Sequence, residues 1–156
     1  MSPVRVIGVA SPFGADRIGW DVVEALGRWE QLPARVALSR CARPDGELLG
    51  ALAVPGLLIL IDAMRSGRSP GTVRRFTAVE VMAGEYMIST HSFGIKSAMS
   101  LAEALASLKA EVWVCGIEIS PQTARRDGIP DPGPVPPDSP DIAGIVKEIK
   151  KILLDS

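Results

Sequence analysis

Cysteine is scarce in this 156-residue chain, and the two present, Cys41 and Cys115, stand far apart with no CxxC spacing. That excludes a disulfide framework and a thiolate zinc site. Histidine is scarcer still: His91 is alone, so no H-E-x-x-H zinc motif can exist. No apolar run approaches the 18 residues of a membrane span; the densest, LLILI at 57–61, is far too short. Neither sign of charge dominates, since 17 basic and 18 acidic residues leave a formal charge of −1. No overall field therefore draws the chain to nucleic acid or an anionic membrane. The N-terminus lacks the basic, apolar and small-residue pattern of a signal peptide, so the cytoplasm is the expected compartment.

What is present is a dense globular composition, 47% hydrophobic, in a chain of one-domain length. Residues 4–9 (VRVIGV) are β-branched and read as a strand. From Asp16 the period changes: Ile18, Val22, Val23, Leu26 and Trp29 form one helical stripe that Pro33 ends. Asp16 stands where a carboxylate complements the helix dipole. Residues 34–38 suggest a second strand, and 43–56 fit no single element. Residues 57–61 are apolar throughout, as in a central strand covered on both faces, and end at Asp62. Residues 73–81 read as a further strand and 86–90 as a short extended piece before His91.

A helix follows to about Leu108, with Leu101, Leu105 and Leu108 on its inner face and capping-box spacing at Ser100 and Glu103. Residues 111–119 (EVWVCGIEI) form the last strand, in which Cys115 is a core residue; Cys41, in a polar stretch, is open to exposure. Residues 121–140 hold over half of the 13 prolines and make a long loop. Ser139 and Pro140 open an amphipathic helix, 140–154, that packs on its own sheet. The sum is a single three-layer α/β/α domain with a mostly parallel sheet over 1–156, and the site of such folds lies outside the carboxyl ends of the strands.

Several chemistries fail on spacing. Gly8 and Gly14 do not make G-x-G-x-x-G, no Gly-Lys-Ser/Thr follows them, and no G-x-S-x-G elbow exists. Ser89 and Thr90 beside His91 are neighbours in sequence only, not thereby a catalytic pair. Three residues remain: Asp16, Asp62 and His91, each expected beyond a different strand. Singly they read as a helix cap, a turn cap and a hydrogen-bonded structural histidine. Together, two carboxylates and an imidazole form an N/O site for a divalent ion, and zinc and nickel both accept such ligands. The arginines 65, 68, 74 and 75 read as a solvated basic stretch interrupted by Gly and Pro, or as a grip on an acidic partner.

At these same residues the chain resembles the hydrogenase maturation endopeptidases, the HybD-type proteases. The resemblance runs through Val6-Ile7-Gly8-Val9 with Asp16-Arg17-Ile18-Gly19 and Val22-Val23-Glu24-Ala25-Leu26. It continues in Leu60-Ile61-Asp62-Ala63 with Arg65-Ser66-Gly67 and Pro70-Gly71-Thr72-Val73, in Ser89-Thr90-His91 with the Leu-Ala-Glu-Ala-Leu helix, and in Val114-Cys115-Gly116-Ile117-Glu118. One departure is Gly8-Val9-Ala10-Ser11 where Gly-x-Gly-Asn is common; another is Asp16 where Glu is also common. The resemblance implies a nickel-recognising site of Asp16, Asp62 and His91, serving as metal contacts and catalytic residues alike. It implies an aspartyl, metal-binding hydrolase, an endopeptidase that removes a C-terminal peptide from the nickel-loaded large-subunit precursor of a nickel-iron hydrogenase, with nickel supplied by the substrate. Arg65 is then a candidate for substrate binding, and loops 11–15, 63–72 and 92–96 for the crevice walls. The competing expectations are a non-cleaving nickel-dependent checkpoint protein and an unrelated small-molecule hydrolase on the same fold.

Overall fold

The computed structural model describes residues 2–10, 17–86, 92–119 and 142–156. The strands are β1 (Val4–Val9), β2 (Val36–Cys41), β3 (Gly56–Met64), β4 (Val73–Thr77) and β5 (Ala110–Glu118). The helices are α1 (Ile18–Gly27), α2 (Pro44–Glu47), α3 (Leu49–Leu52), α4 (Ala78–Met82), α5 (Ser92–Ala104) and α6 (Ile142–Asp155). The five strands form one sheet in the order β2-β1-β3-β5-β4. All pairs are parallel except β4 with β5, so an antiparallel strand closes one edge. The expected mostly parallel sheet with helices is the observed one.

Alternation along the strands sends side chains to two cores. Val4, Val6, Ile59, Ile61, Cys115 and Ile117 meet α1 and α6 through Val22, Leu26, Ile145 and Ile149. Ile7, Val9, Leu58, Leu60, Met64 and Val114 meet the other helices through Leu52, Ile95, Met99 and Ala102. Strand β3 is buried from Leu57 to Met64, which is why its sequence is apolar on both parities.

Several expectations shift. Strand β2 begins two residues after the expected start and ends at Cys41, which is buried rather than exposed. The unassigned 43–56 stretch contains the short helices α2 and α3. The expected strand 73–81 breaks at Thr77 because Thr77 and Glu80 form a capping box. The Thr77 hydroxyl accepts from the Glu80 amide, and the Glu80 carboxylate accepts from the Thr77 amide. The motif expected at Ser100 and Glu103 is absent; both lie inside α5. The inner face of α5 is Ile95, Ala98, Met99 and Ala102, while Leu101 and Leu105 are 44% and 63% exposed. Leu101 sits one position off the stripe that the 3.6-residue period turns to the sheet, and Leu105 lies beyond the end of the helix at Ala104, short of the expected Leu108. The amphipathic C-terminal helix is α6, burying Ile145, Val146, Ile149 and Leu153. Of the expected extended piece 86–90, residues 87–90 lie outside the described residues, as does the Pro-rich loop 121–140.

One contact sets how α1 meets the sheet. A Cβ at Gly8 would stand 2.3 Å from the Gly19 carbonyl oxygen, and one at Gly19 only 2.5 Å from the Ile61 oxygen and 2.7 Å from the Val9 oxygen. The first turn of α1 thus rests on backbone at the carboxyl ends of β1 and β3, an approach that only glycine permits. Gly19→Ala is expected to destabilise the fold by about 1–3 kcal/mol despite alanine's better helix propensity. Gly50→Ala, where a Cβ meets nothing within 4 Å, should be neutral or slightly stabilising. Urea denaturation of both variants checks the pair; equal effects would remove the packing argument.

Candidate functional site

Among the described residues, the charged side chains with no solvent exposure are Asp62 and Glu118. Both stand at the carboxyl end of the parallel sheet, where β3 and β5 run side by side with Asp62 paired to Gly116 and Met64 to Glu118. Burying a carboxylate is costly unless donors meet it, so the partners of each reveal its task.

Glu118 serves the loop after β3. Its Oε1 accepts from the Ser66 amide at 2.8 Å and the Gly67 amide at 2.9 Å, and its Oε2 accepts from the Ser66 hydroxyl at 2.6 Å. Its backbone does the same work further along: the Gly71 amide donates to its oxygen at 2.8 Å, and its amide donates to the Thr72 oxygen at 2.9 Å. Residues 65–72 are therefore pinned at both ends by one residue of β5. The sequence contained the signal, a lone acid between Ile117 and Ile119 facing a Ser-Gly loop, but no role was read from it.

Asp62 lies inside β3, which continues to Met64, rather than just beyond the strand's end as the sequence suggested. The extension follows from β5, whose backbone pairs β3 through Glu118. Asp62 shares the sheet face of Leu58, Leu60 and Met64, and there the Tyr86 hydroxyl donates to its Oδ2 at 3.0 Å. Tyr86 is fully buried and its ring tilts against Phe76, 4.9 Å between centroids. Gly116 makes room for this arrangement. A Cβ there would lie 2.6 Å from Met64 Sδ and 3.1 Å from Tyr86 Cε2. Tyr86 was read from the sequence only as the start of an extended piece; its role depends on the fold that brings it across to β3.

Asp16 and His91 lie outside the described residues, as does loop 11–15. What is described is the chain on either side. Arg17 precedes α1 and pairs with Asp21 in its first turn, and Gly19 rests on the ends of β1 and β3. α5 begins at Ser92, and a Cβ at Gly94 in its first turn would stand 2.9 Å from Pro44 Cγ in α2, just past the end of β2. Residues 92–96 are therefore helix rather than loop, and residues 63 and 64 belong to β3. Arg65 heads the pinned loop and is half-buried. Among the described residues no group of three His, Cys, Asp or Glu side chains gathers as a metal site. An open recess of about 590 Å³, lined by Ser2, Arg35, Lys109 and Trp113 among others, lies at the opposite, amino end of the strands and is separate from Asp62.

Neither cysteine is equipped as a nucleophile. Both are free and buried. Burial pushes each thiol up to about 12, Cys41 with help from the neighbouring Glu47 carboxylate. Thiolates are the reactive form, so cysteine-protease chemistry has no support here.

An α/β domain with a buried aspartate at the carboxyl edge of its central strands defines a class of site, one placed where open parallel sheets carry their ligands. The comparisons with known proteins narrow that class. The profile of a family described as "HycI: Hydrogenase maturation protease" matches residues 22–124. The fold is similar to the hydrogenase maturating endopeptidase HybD from E. coli at TM-score 0.78 and 25% identity, covering 98% of this chain and 93% of that one. It is similar as well to an endopeptidase from Escherichia coli solved in solution (TM-score 0.71, 24% identity, 98% and 88% coverage). A third is the [NiFe] hydrogenase maturation protease HybD from Thermococcus kodakarensis (0.65, 17%, 98% and 97%). No curated protein matches by sequence. The chain belongs to the hydrogenase maturation protease family. None of the helices among the described residues is long and apolar enough to cross a membrane.

Tyr86→Phe keeps the ring against Phe76 but removes a donor from a buried carboxylate. It should cost about 1–3 kcal/mol in chemical denaturation. A variant as stable as the parent would show that the bond does not hold Asp62.

Proposed function

We propose that this protein is an endopeptidase that removes a C-terminal peptide from the nickel-loaded large-subunit precursor of a nickel-iron hydrogenase. The observation that carries the reading is Asp62: a carboxylate with no exposure, held by a tyrosine hydroxyl, at the carboxyl edge of a maturation-protease fold. An oxygen donor of fixed orientation at that edge suits a divalent ion.

In this reading Asp62, Asp16 and His91 engage the nickel that the precursor already holds. Two carboxylates and an imidazole suit nickel in donor type. The chain on which Asp16 sits enters α1 against the ends of β1 and β3, and His91 directly precedes α5. When bound, the ion polarises the scissile carbonyl, so the buried cysteines are not required. Tyr86 keeps the Asp62 carboxylate oriented, and either Asp62 or Asp16 accepts the proton of the attacking water. Arg65, at the head of the loop pinned by Glu118, meets a carboxylate group of the precursor. The metal belongs to the substrate; the protein supplies recognition and orientation.

His91→Ala should abolish processing of nickel-loaded precursor and leave the thermal midpoint unchanged, as read by precursor mass and by melting of the free protein. Cleavage at the parental rate in that variant would refute the assignment. Arg65→Ala should raise the precursor concentration needed for half-maximal cleavage, with little change in the maximal rate. An unchanged concentration would dismiss its role in binding.

A further inference from the structure

Residues 63–79 contain Arg65, Arg68, Arg74 and Arg75 and not one acidic residue, in a chain whose formal charge is −1. The fold turns this stretch into a rigid rim. The loop half is fixed by the Glu118 hydrogen bonds, and the strand half, β4, is paired along β5 at the edge of the sheet. The two β4 arginines occupy opposite faces of that edge strand. Arg74 stacks its guanidinium 4.8 Å from the Phe76 ring centroid, beside the core that holds Tyr86, and Arg75 stacks 4.4 Å from the Trp113 centroid on the other face. Among the described residues the side chains of Arg68, Arg74 and Arg75 make no ion pair or hydrogen bond.

A guanidinium lying on an aromatic ring has one face covered while its N–H edge stays available for in-plane, two-pronged bonding to a carboxylate. The stacking also settles part of the side-chain entropy that binding would otherwise cost. Charge on an edge strand also discourages pairing with other strands. That role asks only for charge, and neither the aromatic stacking nor the adjacent basic loop is required by it.

Sheet register gives the distance to the site. Arg74 pairs with Gly116, and Gly116 pairs on its other side with Asp62. Two strand spacings separate Arg74 from Asp62 along this row, about 10 Å between Cα atoms. An extended peptide advances roughly 3.3 Å per residue, so the arginine lies about three residues away from a peptide held at Asp62.

We infer that the β4 edge, with Arg74 on the face of Asp62, Arg75 on the opposite face and Arg68 in the adjoining loop, binds an acidic segment of the client protein, Arg74 reading a carboxylate about three residues from the bond at Asp62. The inference rests on the proposed function for the identity of the client, and its own evidence is the unpaired, stacked arginines. Charge complementarity selects an acidic peptide as the occupant; a nucleic acid is the rival polyanion.

The test uses the full-length protein and nickel-free large-subunit precursor, so that binding is read without cleavage. Wild-type affinity should fall steeply with added salt, because exposed charge pairs are screened. Arg74→Gln/Arg75→Gln should weaken binding at low salt at least tenfold and flatten the salt dependence. In cleavage of nickel-loaded precursor the same variant should raise KM by a similar factor and leave kcat within about twofold, the pattern of lost uniform binding. Arg74→Lys/Arg75→Lys, which keeps the charge and loses the two-pronged geometry, should fall between and serves if the glutamine variant does not fold. Replacing the Asp and Glu residues near the precursor's cleavage site by Asn and Gln should mimic the double variant. Unchanged affinity in the double variant, salt-insensitive binding by the wild type, or tight binding of a single-stranded oligonucleotide that displaces the precursor would overturn the inference. Loss of binding in a protein that never cleaves would uphold the inference and sink the protease reading.

Discussion

A carboxylate removed from water must be met by donors inside the protein, and the described residues include two such groups, Asp62 and Glu118, in rows two strand positions apart. Glu118 is met by a loop, Asp62 by a tyrosine hydroxyl. The difference assigns them different work. Three donors from Ser66 and Gly67 bind Glu118 to local architecture, and the loop it fixes borders the carboxyl edge. Asp62 draws its tyrosine from a segment 24 residues further along the chain, which ties the stretch before α5 to the central strand.

Packing supports that arrangement through residues that have no side chain. The Gly8–Gly19 contact seats the first turn of α1 on backbone oxygens of β1 and β3, and Gly116 leaves room for Met64 and Tyr86 over β5. Both contacts lie at the same end of the sheet. A methyl group at either would press the elements that flank Asp62 apart by a few tenths of an ångström or more. Interiors packed at crystal-like density transmit such shifts. The end of the sheet that carries Asp62 is thus closely packed through backbone atoms.

Most elements with a clear period were legible in the sequence. β1, α1, the apolar β3, β5 and α6 each have a run or a stripe long enough to declare itself. Misreadings arose where one feature outweighed the period. The Thr77–Glu80 capping box starts α4 inside what reads as a continuous β-branched strand, and Leu101 and Leu105 are apolar yet face outward. Asp62 looks like a strand terminator because it follows LLILI; only the length of β5 shows that the ladder continues past it. Asp62 was singled out in the sequence as an acid abutting a buried strand, with a turn cap as the local reading; the fold adds its full burial and its bond from Tyr86. Tyr86 and the loop-pinning role of Glu118 were not singled out, because both are defined by partners distant in sequence. Asp16 and His91 remain expectations carried by the sequence and by what they imply beside Asp62.

The central claim is that nickel in the client licenses cleavage by this protein. It is tested most directly by the mass of the large-subunit precursor after incubation with the purified protein, once with nickel loaded and once without. The account predicts a defined loss of the C-terminal fragment from the loaded precursor alone. Loss that is equal without nickel, or tight association with no loss of mass at all, would contradict it.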